Sequence, residues 1–171
     1  FKAGEYDFRS LDNSKEWATG YEDFAPIDEG RMVKEMVPHQ LIRGMSGFCF
    51  NTRRQQFADP QVRRALAYAY DFEWTNQNLY YGLFTRSNSY WGNSDLGASG
   101  RPQGQELEIL EAYRGRVPEE VFTEVYQPPK TDGSSAIRAN LRTAKKLLQE
   151  AGWTVQDGVL TQAKTGEKMR I

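Results

Sequence analysis

Apolar and polar positions change period twice along this chain. From Leu41 to Asn51 the sequence reads as extended, ends on Phe48, Cys49 and Phe50, and carries glycines at 44 and 47. Glycine inside a strand pattern weakens it and often marks a bulge or a close backbone approach. At Asp59-Pro60 the period becomes helical. Asp59 suits an N-cap, and Pro60 suits the first helical position, where its missing N–H costs nothing. Val62, Leu66, Ala69 and Tyr70 follow as one buried face, with Arg63 and Arg64 to the side. Asp71 reads as a second cap that restarts a helix through Trp74 and Leu79. Farther along, Ile137, Leu141, Ala144, Leu148 and Ala151 form an apolar helical stripe. Gly152 follows where a helix end favours a left-handed residue, and Trp153 can fold back on the last turn.

Weaker patterns fill the intervals. A helix is predicted around Asn13–Thr19, anchored by Trp17 and ended by Gly20, then a loop over Tyr21–Gly30 punctuated by Pro26. Arg31–Val37 alternates and predicts a strand, which Pro38 stops. Residues 82–104 form a long polar loop dotted with Phe84, Tyr90 and Trp91, and loops of that length are usually functional or mobile. A short helix over Gln105–Tyr113 turns Leu107, Ile109 and Leu110 inward, and Pro118–Val121 adds another helical turn. Tyr126–Ser135 is irregular; Val155–Leu160 and Lys168–Ile171 are expected as two strands joined at Thr165-Gly166. The fold class is α/β.

Composition narrows the function. The chain has 171 residues, enough for a real core, and 22 basic residues against 23 acidic ones. That balance argues against nucleic acid as a partner. No apolar run approaches the roughly 20 residues of a membrane span. One cysteine excludes an internal disulfide, one histidine makes metal clusters improbable, and Cys49 between two phenylalanines is expected to be a buried thiol. Phe1 follows no signal segment, and Met169-Arg170-Ile171 alternates like a strand barely begun. Both ends therefore read as cuts through a longer protein, and the chain as a fragment of it.

Two ordered sets of residues carry a resemblance. Asn51, Phe57, Asp59, Val62, Arg63, Ala65, Leu66, Tyr68, Ala69 and Asp71, followed downstream by Ala144, Leu147, Leu148, Ala151, Gly152 and Trp153, resemble the extracellular solute-binding proteins of family 5. That family serves oligopeptide and dipeptide transport. Phe1-Lys2-Ala3-Gly4-Glu5-Tyr6-Asp7-Phe8-Arg9, Gly44-Met45-Ser46-Gly47-Phe48, Asn51-Thr52-Arg53-Arg54 and Phe72-Glu73-Trp74-Thr75-Asn76 resemble its YejA-type branch. The resemblance implies a two-lobe periplasmic binding protein (type II, cluster C-like). Residues 1–30 would be the tail of lobe one, 31–51 the extended crossing segments, and 52–171 the first part of lobe two. It further implies an oligopeptide or peptide-like ligand, ABC permease subunits as partners, no cofactor and no enzymatic step. The location would be periplasmic or extracellular after export on a signal peptide lying outside this chain. Other members take up sugars or metal complexes, so the solute itself stays open.

The residues that could carry chemistry each have a plainer reading. Gly44-Met45-Ser46-Gly47 resembles a nucleophile elbow only loosely, because Phe48 replaces the final glycine and the context is a continuing strand. A serine hydrolase using Ser46 would need His39, the one histidine, as its base. Arg43 has a planar guanidinium suited to a peptide carboxylate or carbonyl, although structural pairing is the common fate of such arginines. By position, Arg43, Gly44, Met45 and Ser46 border the expected cleft, and Tyr90 and Trp91 sit in the long loop. The run Ser87-Asn88-Ser89-Tyr90-Trp91-Gly92-Asn93 could form an adaptable receptor wall, or its two aromatics could pin the loop to the core. Arg53-Arg54 and Arg63-Arg64 read as a solvated turn and helix face. Asn51, Asp59, Arg63, Asp71, Gly152 and Trp153 read as structural, and loss of the Asp71 cap is expected to cost about 1 kcal/mol. A module that docks another protein without any small ligand is the remaining alternative.

Overall fold

A computed structural model describes residues 1–170, apart from the side chain of Arg43. The chain is mixed helix and strand and divides into two compact units. The first comprises residues 1–39, 71–85 and 131–136; the second comprises 40–70, 86–130 and 137–171.

In the first unit, Asn13 accepts the Glu16 N–H at 3.0 Å and starts helix α1, Ser14–Thr19. Gly20 ends it; a Cβ there would lie 2.5 Å from the Glu16 carbonyl oxygen. Next comes Tyr21, buried, with Phe1 and Phe24 edge-on at 6.3 and 5.9 Å and the Lys2 ammonium 4.8 Å from its ring centre. The stretch expected as loop at Tyr21–Gly30 holds a short helix α2, Ala25–Asp28, because Pro26 occupies the first turn, where proline is tolerated. Residues 31–37 form no strand. Their alternation is real, but Val33 and Val37 are exposed and no ladder partner occurs among the described residues.

The second unit contains the core. Strand β1 is Arg43–Gly44, and Asn51 then accepts the Arg53 N–H at 3.1 Å, turning the chain into helix α3, Gln55–Ala58. Arg63 donates to the carbonyls of Phe57 (2.6 Å) and Ala58 (2.9 Å) at the end of α3, so it closes one helix from within the next. Asp59 accepts the Gln61 N–H at 2.8 Å and caps α4, Pro60–Ala69. Val62 and Ala65 are buried on α4, with Leu66 packed beside them, whereas Ala69 is exposed. The i, i+3 neighbour Ala65 therefore takes the inward position expected of Ala69.

Helix α5 is Phe72–Leu79, in the first unit, and its cap is Asp71. Strand β2, Trp91–Gly92, interrupts the long polar loop. Helix α6, Gly104–Glu111, half-buries Leu107 and Leu110 but leaves Ile109 exposed, because a helix this short buries only one narrow side. Helix α7, Glu120–Thr123, begins two residues later than the proline at 118 suggests. Helix α8, Arg138–Glu150, packs on α4 with Ala144 buried and Leu141 still half-exposed.

At the end of α8, Gly152 adopts φ +81° and Trp153 starts strand β3, Trp153–Gln156, with its indole buried against Phe57 and Val62. Strand β4, Val159–Gln162, pairs antiparallel with β3 in the register Trp153↔Gln162. Asp157 and Gly158 at the tip have φ of 50° and 78°, the requirement of a type I′ hairpin. The hairpin thus turns inside the stretch 155–160 that had been read as one strand. The Thr165-Gly166 turn follows it, and Lys168 forms a bridge to Thr161. The last residue of the second expected strand, Ile171, lies outside the described residues.

Val62 is completely buried at the centre of this cluster. Val62→Ala is expected to lower stability by about 2 kcal/mol through lost burial and a residual cavity. The half-exposed Leu141→Ala should cost less than half as much. Urea unfolding should show a shifted midpoint at unchanged slope for the first; equal costs would place the core elsewhere.

Candidate functional site

Two segments far apart in sequence meet in one short ladder. Gly44 pairs with Trp91 and Arg43 with Gly92, antiparallel, within the second unit. The pairing joins the chain segment that holds Gly44, Met45 and Ser46 to the loop that holds Tyr90 and Trp91, two groups that sequence position singled out separately. The Arg43 side chain lies outside the described residues; its backbone belongs to the ladder.

The loop that presents Trp91 is held by its own polar side chains. Ser89 Oγ accepts the N–H of Trp91 (3.3 Å) and of Ala98 (3.1 Å), so one hydroxyl closes both arms of the loop. Ser94 Oγ donates to the Trp91 carbonyl at 2.9 Å, and the Gly97 N–H donates to the Ser94 carbonyl at 2.9 Å. At Gly97 a Cβ would stand 2.8 Å from the Trp91 carbonyl oxygen, so only glycine permits this closure. Asn93, at φ 59°, donates from its side-chain amide to the Leu41 carbonyl (3.3 Å) and ties the loop to the strand before β1. Ser89, in the run expected to supply adaptable ligand groups, is therefore used, together with Ser94, to fix the loop itself. The serine and glycine spacing carried that signal.

With the loop closed by hydrogen bonds, its aromatics are not needed as pins. Tyr90 is 70 % exposed and Trp91 55 % exposed, neither belongs to the core cluster, and Met45 is 39 % exposed. The result is exposed indole, phenol and thioether side chains carried on a hydrogen-bonded loop and on the extended backbone at Gly44–Gly47. Such a surface can stack on side chains and hydrogen-bond to another backbone. Ser46 is exposed in extended chain, with no helix until Gln55, so the strand-to-helix turn of a nucleophile elbow is not formed. Cys49 is exposed, contrary to the buried thiol expected: residues 48–50 form no strand, and of the two flanking phenylalanines only Phe50 packs inward, on Phe57 at 5.2 Å, while Phe48 is exposed.

The titratable groups with shifted equilibria serve structure. Arg114 forks onto Glu111 at 2.7 and 2.8 Å and onto Glu119 at 2.6 Å, and it holds Glu111 below the usual carboxylate range. In the first unit, the Ser134 hydroxyl and N–H hold Asp132 low. Arg9 is raised by its hydrogen bond to Tyr21 and by Glu16. That unit also has a cleft of about 510 Å³ walled by Tyr6, Phe8, Trp17 and Tyr21, which sequence reasoning missed. No group of three or more metal-ligating side chains occurs among the described residues.

Comparison with known proteins decides the family. The profile of the bacterial extracellular solute-binding proteins, family 5 (middle) matches residues 1–170. The chain belongs to that family. It is 43 % identical over 171 residues to the "Probable peptide-binding protein YejA" of Agrobacterium fabrum, covering 99 % of this chain and 28 % of that protein. It is 37 % identical over 169 residues to YejA of Escherichia coli K12 (99 % and 28 %). It is 38 % identical over 171 residues to the "Peptidoglycan-binding protein YepA" of Agrobacterium fabrum (95 % and 28 %). This family 5 chain thus spans little more than a quarter of the length of these relatives.

The family-motif aspartate at 71 has two attachments. Its Oδ1 accepts the Trp74 N–H at 3.0 Å as cap of α5 and lies 2.6 Å from the Thr131 hydroxyl. Thr131 also donates its N–H to Glu73 at 3.0 Å, so this corner secures residues 131–136, where the Gly133 position has no room for a Cβ beside Gln77. Asp71→Ala should therefore cost about 2 kcal/mol, more than a cap alone, while solute affinity stays unchanged. A melting curve and a binding isotherm on the same variant check this; a large affinity loss without a melting shift would make Asp71 a ligand residue.

Proposed function

We propose that this chain forms part of the solute-enclosing body of a binding protein for an ABC importer, taking oligopeptides or peptide-like compounds. The full receptor closes two lobes around the solute and delivers it to permease subunits in the membrane, with no covalent step on the receptor. Its place of action is the periplasm or the cell exterior. The observation that carries the reading is the ladder of Gly44 with Trp91, which sets exposed aromatics beside extended backbone. A peptide offers both matching features, a repeating amide backbone and varied side chains. Two relatives carry names for peptide and for peptidoglycan binding, and peptidoglycan contains peptide stems. Ligand contacts fall to Gly44, Met45, Ser46, Tyr90 and Trp91, with Arg43 from the same strand.

A thermal-melt screen of the full-length protein with peptides of various lengths, sugars and metal chelates tests this. A peptide at about a hundredfold over its dissociation constant adds about 2.7 kcal/mol, and Trp91→Ala should weaken peptide binding about tenfold while leaving the unliganded melt in place. A shift with a sugar or metal chelate alone would keep the family and overturn the solute. Turnover of an ester that is lost in Ser46→Ala would replace the receptor by a hydrolase.

In this reading residues 1–30 close lobe one, 31–51 cross between the lobes, and 52–171 open lobe two. Residues 31–42 form neither helix nor strand, and Gly44 has open space around it, which suits a segment that must change its dihedrals. Full-length structures with and without solute should differ in φ and ψ within 41–51; unchanged dihedrals there across closure would move the hinge elsewhere.

A further inference from the structure

The ladder that carries the candidate site is two residue pairs long, and a pairing this short is a weak hold by itself. In its register Asn93 comes next, opposite Ile42. The chain does not continue as a strand there, because Asn93 turns to φ 59°, a left-handed conformation that asparagine tolerates better than most side chains. Its side-chain amide then donates to the Leu41 carbonyl at 3.3 Å, so the side chain extends the hold where the backbone leaves it. Ser89, Ser94 and Gly97 close the loop on itself, but those bonds join loop to loop and leave its attitude on the strand unset. Toward the other end, residues 45–50 are outside any ladder among the described residues. Asn93 therefore works with the two ladder pairs to hold Trp91 to residues 41–44.

We propose, on the reading that Trp91 contacts the peptide, that Asn93 is a positioning residue for the aromatic side chains of that peptide, acting through Trp91. Asn93 need not touch the peptide. Its contribution is to keep the loop, and with it the indole, in one place relative to the extended backbone, so that less ordering is left to binding. An exposed amide–carbonyl bond of 3.3 Å adds little to folding in water, so its loss should reach affinity and spare the melt. Aromatic side chains of a ligand depend most on that placement, because paired rings prefer an offset or edge-on geometry. Peptide hydrogen bonds to the backbone at residues 44–46 do not pass through the loop.

The test uses the full-length protein, alanine peptides of graded length carrying one tyrosine, and all-alanine peptides of the same lengths. Asn93→Gly removes the amide and keeps the left-handed backbone without strain. It should weaken the tyrosine peptides about fivefold and the all-alanine peptides less than about twofold, at an unshifted melting temperature. In a Trp91→Ala background the same change should have no further effect, since the two residues act as one unit. Asn93→Asp keeps the size and the tolerance for the turn but presents oxygen to the Leu41 carbonyl, so it should lose at least as much. It also replaces Asn93→Gly if that variant folds poorly. Tyrosine peptides weakened by Trp91→Ala but untouched by Asn93→Gly would overturn the positioning role alone. So would an Asn93→Gly loss that persists in full without Trp91. No binding of any peptide, or tyrosine-peptide affinity indifferent to Trp91→Ala, would overturn the peptide reading of the site and the positioning role with it.

Discussion

The burial of Trp153 beside Phe57 and Val62 is the contact on which the second unit depends. These side chains come from β3, α3 and α4, and Leu148, Ala151, Leu160 and Met169 close around them. The site can form only because backbone chemistry directs each piece inward. Gly152 turns left-handed so that Trp153 leaves α8 facing the core; Asp59 and Pro60 start α4 at the phase that buries Val62; Arg63 closes α3 so that Phe57 stays under it. Aromatic and branched side chains of this size contribute several kcal/mol through burial. Far fewer polar contacts then suffice to hold the loops outside.

Those loops are held by a different kind of force. The Trp91 loop stands on a set of hydrogen bonds in which Ser89 accepts from Trp91 and Ala98, Ser94 donates to Trp91 and accepts from Gly97, and Asn93 donates to Leu41. Each bond contributes little in water, about 1 kcal/mol, but together they leave the loop few alternative conformations. In the proposed reading, such a loop would offer exposed aromatic faces to a ligand with little ordering left to be done on binding.

Much of this was legible in the sequence where the signal is local. Asp59 and Asp71 fix helix starts by hydrogen-bonding the backbone two or three residues on, Pro60 and Gly152 act through their own backbone geometry, and the structure has each of them there. What failed was pattern that needs a distant partner. Alternation at 31–37 predicts a strand only if another strand lies alongside, and Cys49 between two phenylalanines predicts burial only if a layer covers it. The hairpin at Asp157-Gly158 was legible but overlooked, because the apolar run from Val155 to Leu160 masked the turn dipeptide inside it. The meeting of Gly44 with Trp91 was not legible at all: a ladder two residues long leaves no periodicity to read.

The central claim is that this ladder presents a surface to a bound peptide. The most direct measurement is photo-crosslinking of the full-length protein with a peptide carrying a photoreactive aromatic side chain, followed by mass-spectrometric mapping. Adducts concentrated on residues 43–46 and 89–93, and competed away by unmodified peptide, are the result the account predicts. Specific, competable adducts that avoid both segments would contradict it.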